Sequence, residues 1–179
     1  MKIEQQLPLL ESLLLEWKEV IGEDYDGYHH HVYRMVHCCF ALKVCTDEEK
    51  QKIMIAAAFH DVGIWIDKTI DYIEPSVAPA MAYLTANKQE AWCEEISLMI
   101  REHHKIRVVE DDCYPLVELF RQGDLVDFSL GCIRFGLDKA FIDELKTVFP
   151  NAGFHKGLLQ KAMRWFVKHP LNPAPMMKW

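Results

Sequence analysis

His60 and Asp61 stand together at the end of the run Ile53-Met-Ile-Ala-Ala-Ala-Phe59, and that position asks for chemistry. A polar pair closing so apolar a stretch is costly to bury unless it is hydrogen-bonded or bound to a metal. Alone, such a pair also arises at a solvated helix end, so its company matters. His31 is followed three residues later by Arg34, and Asp124 three residues later by Asp127, so each pair shares a helix face. Two imidazoles and two carboxylates, His31, His60, Asp61 and Asp124, form a mixed nitrogen and oxygen set. That set suits one divalent ion, Mn²⁺, Fe²⁺, Co²⁺, Ni²⁺, Zn²⁺ or Mg²⁺, and leaves coordination positions open for water and substrate.

The elements that must position these residues read as helices throughout. Leu9, Leu10, Leu13, Leu14, Trp17, Val20 and Ile21 recur at three- and four-residue intervals and predict a first helix ended by Gly22. A second runs from about Tyr28 to Val44, with Val32, Met35, Val36, Cys39 and Phe40 inward. Thr46 followed by Asp47, Glu48 and Glu49 is a capping box opening a third helix, buried on all sides and closed by Gly63. Trp65 to Pro75 form a connection. Ser76 caps a helix to about Asn87, and others span about Gln89 to His104, Pro115 to Phe128, Asp138 to Phe149 and Phe154 to His169. No stretch alternates as a strand would. The fold class is all-α, one domain over 1–179, with a core at about 25–135, helices at about 138–169 and an extended, proline-rich tail at 170–179.

The order His31, then His60-Asp61, then Asp124 resembles the HD-domain superfamily of metal-dependent phosphohydrolases. His31-Val-Tyr-Arg-Met35 resembles the family's H-x-x-R-V opening, Ala57-Ala-Phe-His-Asp-Val-Gly63 its HD-x-G helix end, and Asp124-Leu-Val-Asp127 its closing D-x-x-D helix. The likeness covers roughly residues 25 to 135. His29, His30 and His31 are consecutive, and it is the family's H-x-x-R register that selects His31, with His30 as the alternative. The resemblance implies an HD bundle around one central metal ion held by His31, His60, Asp61 and Asp124, with Asp127 as a rival ligand or as the group that orients one. The segment from His60 to Asp67, followed by Asp71-Tyr72 and Glu74-Pro-Ser76, looks like small bacterial HD proteins without an assigned substrate.

The implied activity is hydrolysis of a phosphate ester of a small molecule, with a nucleotide among the candidates, by metal-activated water. Asp61 would serve the metal and the chemistry, and Asp67 or Asp71 would position the water as general base. Arg101-Glu-His-His-Lys-Ile-Arg107 is a basic cluster at a helix end, where the dipole favours cations. His103, His104 and Lys105, with Arg34, are expected to receive the phosphate, and Trp65 and Tyr72 to wall a nucleobase. Two rival readings are a non-catalytic metal- or nucleotide-binding module and a di-iron oxygenase of the same fold. The oxygenase would need further ligands, for which the chain offers the adjacent 103/104 pair.

Among 179 residues, acidic side chains outnumber basic ones by 27 to 20, and the formal charge is −7. This argues against a nucleic-acid polymer or an anionic membrane as partner, leaving a small phosphorylated substrate, with a homodimer allowed. The six cysteines show no C-x-x-C spacing and no signal peptide is apparent, so a reducing cytoplasm is the expected compartment.

Overall fold

Burying the apolar stripes gives an all-α helical bundle centred on the crossing of two helices. The computed structural model describes residues 2 to 177 and has no β-strand among them. The chain begins with α1 (Pro8–Glu16), α2 (Lys18–Ile21), α3 (Tyr25–Leu42), α4 (Asp47–Phe59) and α5 (Gly63–Ile66). It continues with α6 (Ile73–Ala86), α7 (Cys93–Glu102), α8 (Leu116–Phe128), α9 (Lys139–Val148) and α10 (Phe154–Lys168).

α4 starts where its cap satisfies two otherwise unpaired amides. Thr46 Oγ1 accepts the Glu49 N–H at 3.2 Å while the Glu49 carboxylate accepts the Thr46 N–H at 2.7 Å. Its second half, Ile55 to Phe59, is buried, and the three alanines let α1, α3 and α7 pack around it. α3 packs chiefly on α8. Their closest approach passes over Gly123, where a Cβ would stand 2.3 Å from Cys39 Sγ and 2.9 Å from the Met35 carbonyl oxygen. Glycine is required there by proximity, and it sits one residue before Asp124.

Three boundaries differ from the sequence reading. The first helix breaks at Trp17, whose N–H turns to the Leu14 carbonyl at 3.0 Å, and the Trp17 ring meets Phe59 edge-on. Gly63 opens α5 instead of closing α4, because the Tyr72 carbonyl packs where a Cβ would lie, 2.3 Å away. α6 begins at Ile73, and Ser76 does not cap it: its hydroxyl accepts the Gly63 N–H at 3.0 Å. Ser76 thereby fixes the turn behind His60 and Asp61.

α10 is loosely seated, with only Phe154 buried among its residues. Residues 171–177 are not helical and bring Met176 beside α10. Residues 178 and 179 of the expected tail, and residue 1 of the expected domain, lie outside the described residues. All six cysteines are free, and Cys38, Cys39 and Cys45 are buried. No helix among the described residues is long and apolar enough to cross a membrane.

The Gly123 crossing can be tested by overpacking. Gly123→Ala should cost about 2–3 kcal/mol and lower the melting temperature by roughly 5–10 °C in thermal denaturation. Cys39→Ala in the same chain should recover part of that loss, because it removes the nearest atom but not the Met35 carbonyl.

Candidate metal centre

The last carbonyls of a helix have no partner within it, and the residues that satisfy them aim the site. At the end of α4 the Tyr28 hydroxyl donates to the Ala58 carbonyl at 3.1 Å, and His60 Nδ1–H donates to the Ala57 carbonyl at 2.8 Å. α7 ends in the same way, with His103 Nδ1–H donating to the Ile100 carbonyl at 2.7 Å. On α3, His31 Nδ1–H donates to Asp127 Oδ2 at 2.7 Å. Each of these partners can only accept, so in the neutral ring each Nε2 keeps a lone pair. All three Nε2 atoms turn toward the space between α3, α4, α7 and α8.

Two carboxylates share that space. His60 Nε2 lies 3.3 Å from Asp61 Oδ2, and His31 Nε2 lies 3.8 Å from the same oxygen and 3.4 Å from Asp124 Oδ1. The other carboxylate oxygens face the other histidines, with Asp61 Oδ1 3.6 Å from His103 Nε2 and Asp124 Oδ2 3.8 Å from His104 Nδ1. Two ligand groups, His31–His60–Asp61 and Asp61–His103–His104, therefore meet at Asp61.

Electrostatics make this arrangement demanding. His31 Nε2 and His60 Nε2 are 3.1 Å apart with both Nδ1 protons committed elsewhere, so two lone pairs of neutral rings face each other. Asp61 Oδ1 and His103 Nε2 are buried without any hydrogen-bond partner. Burial holds His31 neutral, with its pKa lowered to about 4, and burial together with the neighbouring His103 pushes His104 well down. Burial also pushes Asp124 up to about 7, with Asp61 and Asp127 adding to the rise. For Asp61 burial acts in the same direction, but His60 and His103 outweigh it and hold the carboxyl well below its usual range.

A cation fits this donor set. Donors about 2.0–2.2 Å from a common ion at angles of 90–120° stand about 3–3.8 Å from one another, which is the spacing around His31, His60, Asp61 and Asp124. The orphaned lone pairs and unpaired carboxylate oxygens are what such an ion would satisfy.

A cavity of about 230 Å³ opens above the cluster. His31, Asp61, Asp124, His104 and Tyr72 form its floor, and its walls are apolar, with Ile70, Phe128, Phe154, Leu158 and Met176 among them. Phe154 stacks on His31 with ring centroids 4.2 Å apart. The Tyr72 hydroxyl and His104 Nε2 share a hydrogen bond of 2.6 Å.

The structure brings together His31, His60, Asp61, Asp124, His103 and His104. Asp127 lies behind them, accepting from Arg34 Nε at 2.5 Å and Nη2 at 2.8 Å as well as from His31, and it orients that ring. Arg34 Nη1 donates to the Phe149 and Pro150 carbonyls, so its guanidinium faces away from the cavity. Lys105 pairs with Glu102 at 3.4 Å outside the cavity, and Asp67 and Asp71 are exposed and do not line it. Trp65 donates from its indole nitrogen to Asp24 and walls a neighbouring cavity. Sequence reasoning assigned no role to Tyr28, Phe154 or His155. Its placing of His103 missed a local signal: the residue repeats at the end of α7 what His60 does at the end of α4.

Comparison with known protein families, with curated proteins and with solved structures finds no match.

Titrating metal-free protein with Mn²⁺ or Co²⁺ separates the two ligand groups. Asp61→Asn should weaken binding at both, His60→Gln chiefly at one and His103→Gln chiefly at the other, each by at least tenfold. Without metal, Asp61→Asn should lower the melting temperature only modestly at neutral pH, since the ionised carboxyl it removes is favoured by His60 and His103 in the folded chain but keeps Oδ1 unpaired. Asp127→Asn should instead destabilise the fold by about 3–5 kcal/mol, because it leaves Arg34 buried without a counter-charge.

Proposed function

We propose that this chain is a metal-dependent phosphohydrolase of the HD-domain kind, acting on the phosphate ester of a small molecule. The observation that carries the reading is the division of Asp61 and Asp124, each with one oxygen toward His31 and His60 and the other toward His103 or His104, at the floor of a cavity. A divalent ion held there would polarise a phosphoryl oxygen and lower the pKa of a bound water.

The chain's own residues set the conditions for that chemistry. Asp127 fixes the His31 ring so that its Nε2 meets the cluster, and the helix-end carbonyls do the same for His60 and His103. Tyr72 and His104, joined at 2.6 Å on the cavity floor, are the pair placed to hold a proton there. Asp67 and Asp71 stand outside the cavity, which leaves the general-base role to the cluster's own carboxylates or His104. The apolar walls exclude water and take the organic part of the substrate. No lysine or arginine lines the cavity among the described residues, so the substrate is a monoester with an uncharged, largely apolar body and not a polyphosphate. Six free cysteines suit a reducing compartment.

The His103–His104 pair also favours a second reading, a di-iron oxygenase, because it supplies the additional ligands that such a centre needs. The two readings differ in what they require of the metal. Metal-free protein given Mn²⁺, Co²⁺, Ni²⁺ or Mg²⁺ under strictly anaerobic conditions should release phosphate from aryl and alkyl monophosphates. Turnover that requires iron and dioxygen and releases no phosphate would select the oxygenase, and no turnover with any metal would select a binding module.

A further inference from the structure

We propose that a second cavity, separated from the metal-ligand cluster by α10, binds a phosphorylated small molecule carrying a planar ring, as a nucleotide does. The cavity measures about 340 Å³, within the range of roughly 300–1,000 Å³ usual for small-ligand sites. It lies between Trp65 of α5, the connection after it and α10. Lys68, Lys161, Arg164 and Lys168 line it, and among the described residues no carboxylate does. In a chain of net charge −7, four cations converging on one hollow without an acid call for an anion.

Three of these four charges are also unpaired. Lys161 pairs with Asp24 at 2.6 Å, whereas Lys68, Arg164 and Lys168 have no ion-pair partner among the described residues. Lys161, Arg164, Trp165 and Lys168 follow the three- and four-residue spacing that places them on one face of α10. Leu158, Leu159 and Ala162, from another face of that helix, line the metal-site cavity.

The walls specify the rest of the ligand. Trp65 and Trp165 both line the cavity, and their N–H groups are already committed to Asp24 and to the Asn172 carbonyl. What remains for a ligand is the ring surface left open by His169, stacked on Trp165 with centroids 4.0 Å apart, and by the Lys161 ammonium, 5.7 Å from the Trp65 centroid; it is suited to stacking against a planar group. Phosphate oxygens would meet the unpaired cations in charge-assisted contacts. Leu159, Met163, Phe166 and Val167 are exposed on the same helix, so an anionic lipid surface is the other source of phosphate chemistry. The concave shape and the two indole walls favour the soluble ligand.

The test is calorimetric titration of the full chain with ADP and with pyrophosphate, in EDTA and at low ionic strength, so that the metal-ligand cluster takes no part. ADP is expected to bind saturably at one site, roughly tenfold more tightly than pyrophosphate, and less tightly as salt is raised. The double variant Arg164→Glu/Lys168→Glu, at two exposed positions, should weaken ADP by at least about tenfold with its circular dichroism unchanged. Asp61→Asn should bind ADP as the parent does. Absence of ADP binding, affinity unmoved by the charge reversal, or loss of binding in Asp61→Asn would each overturn the proposal. Co-sedimentation with phosphatidylserine vesicles without ADP binding would overturn it in favour of a membrane surface.

Discussion

The centre of this protein depends on the commitment of Asp127 to Arg34 and His31. A carboxylate and a guanidinium buried together are stable only with close to full hydrogen bonding, and here Asp127 accepts three hydrogen bonds while Arg34 also reaches the Phe149 and Pro150 carbonyls. These contacts tie α3 to α8 and both to the segment before α10. They also consume the Arg34 guanidinium. Asp61 and Asp124 are left facing imidazoles, of which burial holds His31 and His104 neutral, and no lysine or arginine among the described residues answers the two carboxyls in the cavity. A divalent ion is the kind of ligand that such a charge pattern selects.

The rings around this pair of carboxylates are held without any help from an ion. His60 and His103 bind back to carbonyls three residues earlier, and His31 binds Asp127, so each tautomer is set by secondary structure or by a buried salt bridge. α10 then separates two environments. Toward the cluster it presents Leu158, Leu159 and Ala162, which keep that cavity apolar, and toward the neighbouring cavity it presents Lys161, Arg164, Trp165 and Lys168. One helix of modest burial thus accounts for the different character of two adjacent cavities.

Residues whose roles are local were legible in the sequence. The capping box at Thr46 and Glu49 needs only a four-residue window, and the apolar face of α4 needs only its own composition. His60, Asp61 and Asp124 stood out in the sequence at a buried helix end and on a helix face, whereas His31 was picked from three consecutive histidines only through the H-x-x-R register of the family it resembles. Residues whose roles depend on tertiary approach were not legible. Gly63 read as a helix stop, although it serves the close passage of the Tyr72 carbonyl, and Ser76 read as a cap, although it holds the turn behind Asp61. Arg34 and Lys105 read as phosphate ligands because charge alone was visible. Their partners, Asp127 and Glu102, settle where those charges point.

The same separation explains how so polar a centre persists inside an apolar bundle. Orphaned atoms such as Asp61 Oδ1 and His103 Nε2 cost stability whenever the cluster is without an ion, and burial raises that cost. A ligand that binds only the folded state returns stability in proportion to its concentration over its dissociation constant. A fold that relied on that return would lose its site with its ion. Here the packing of Gly123 against Cys39 and the Asp127–Arg34 pair lie outside the donor set, so neither the α3–α8 crossing nor the His31 ring depends on an ion for its partners. The strain is confined to the few atoms that would meet an ion, and this confinement leaves the site ready to receive one.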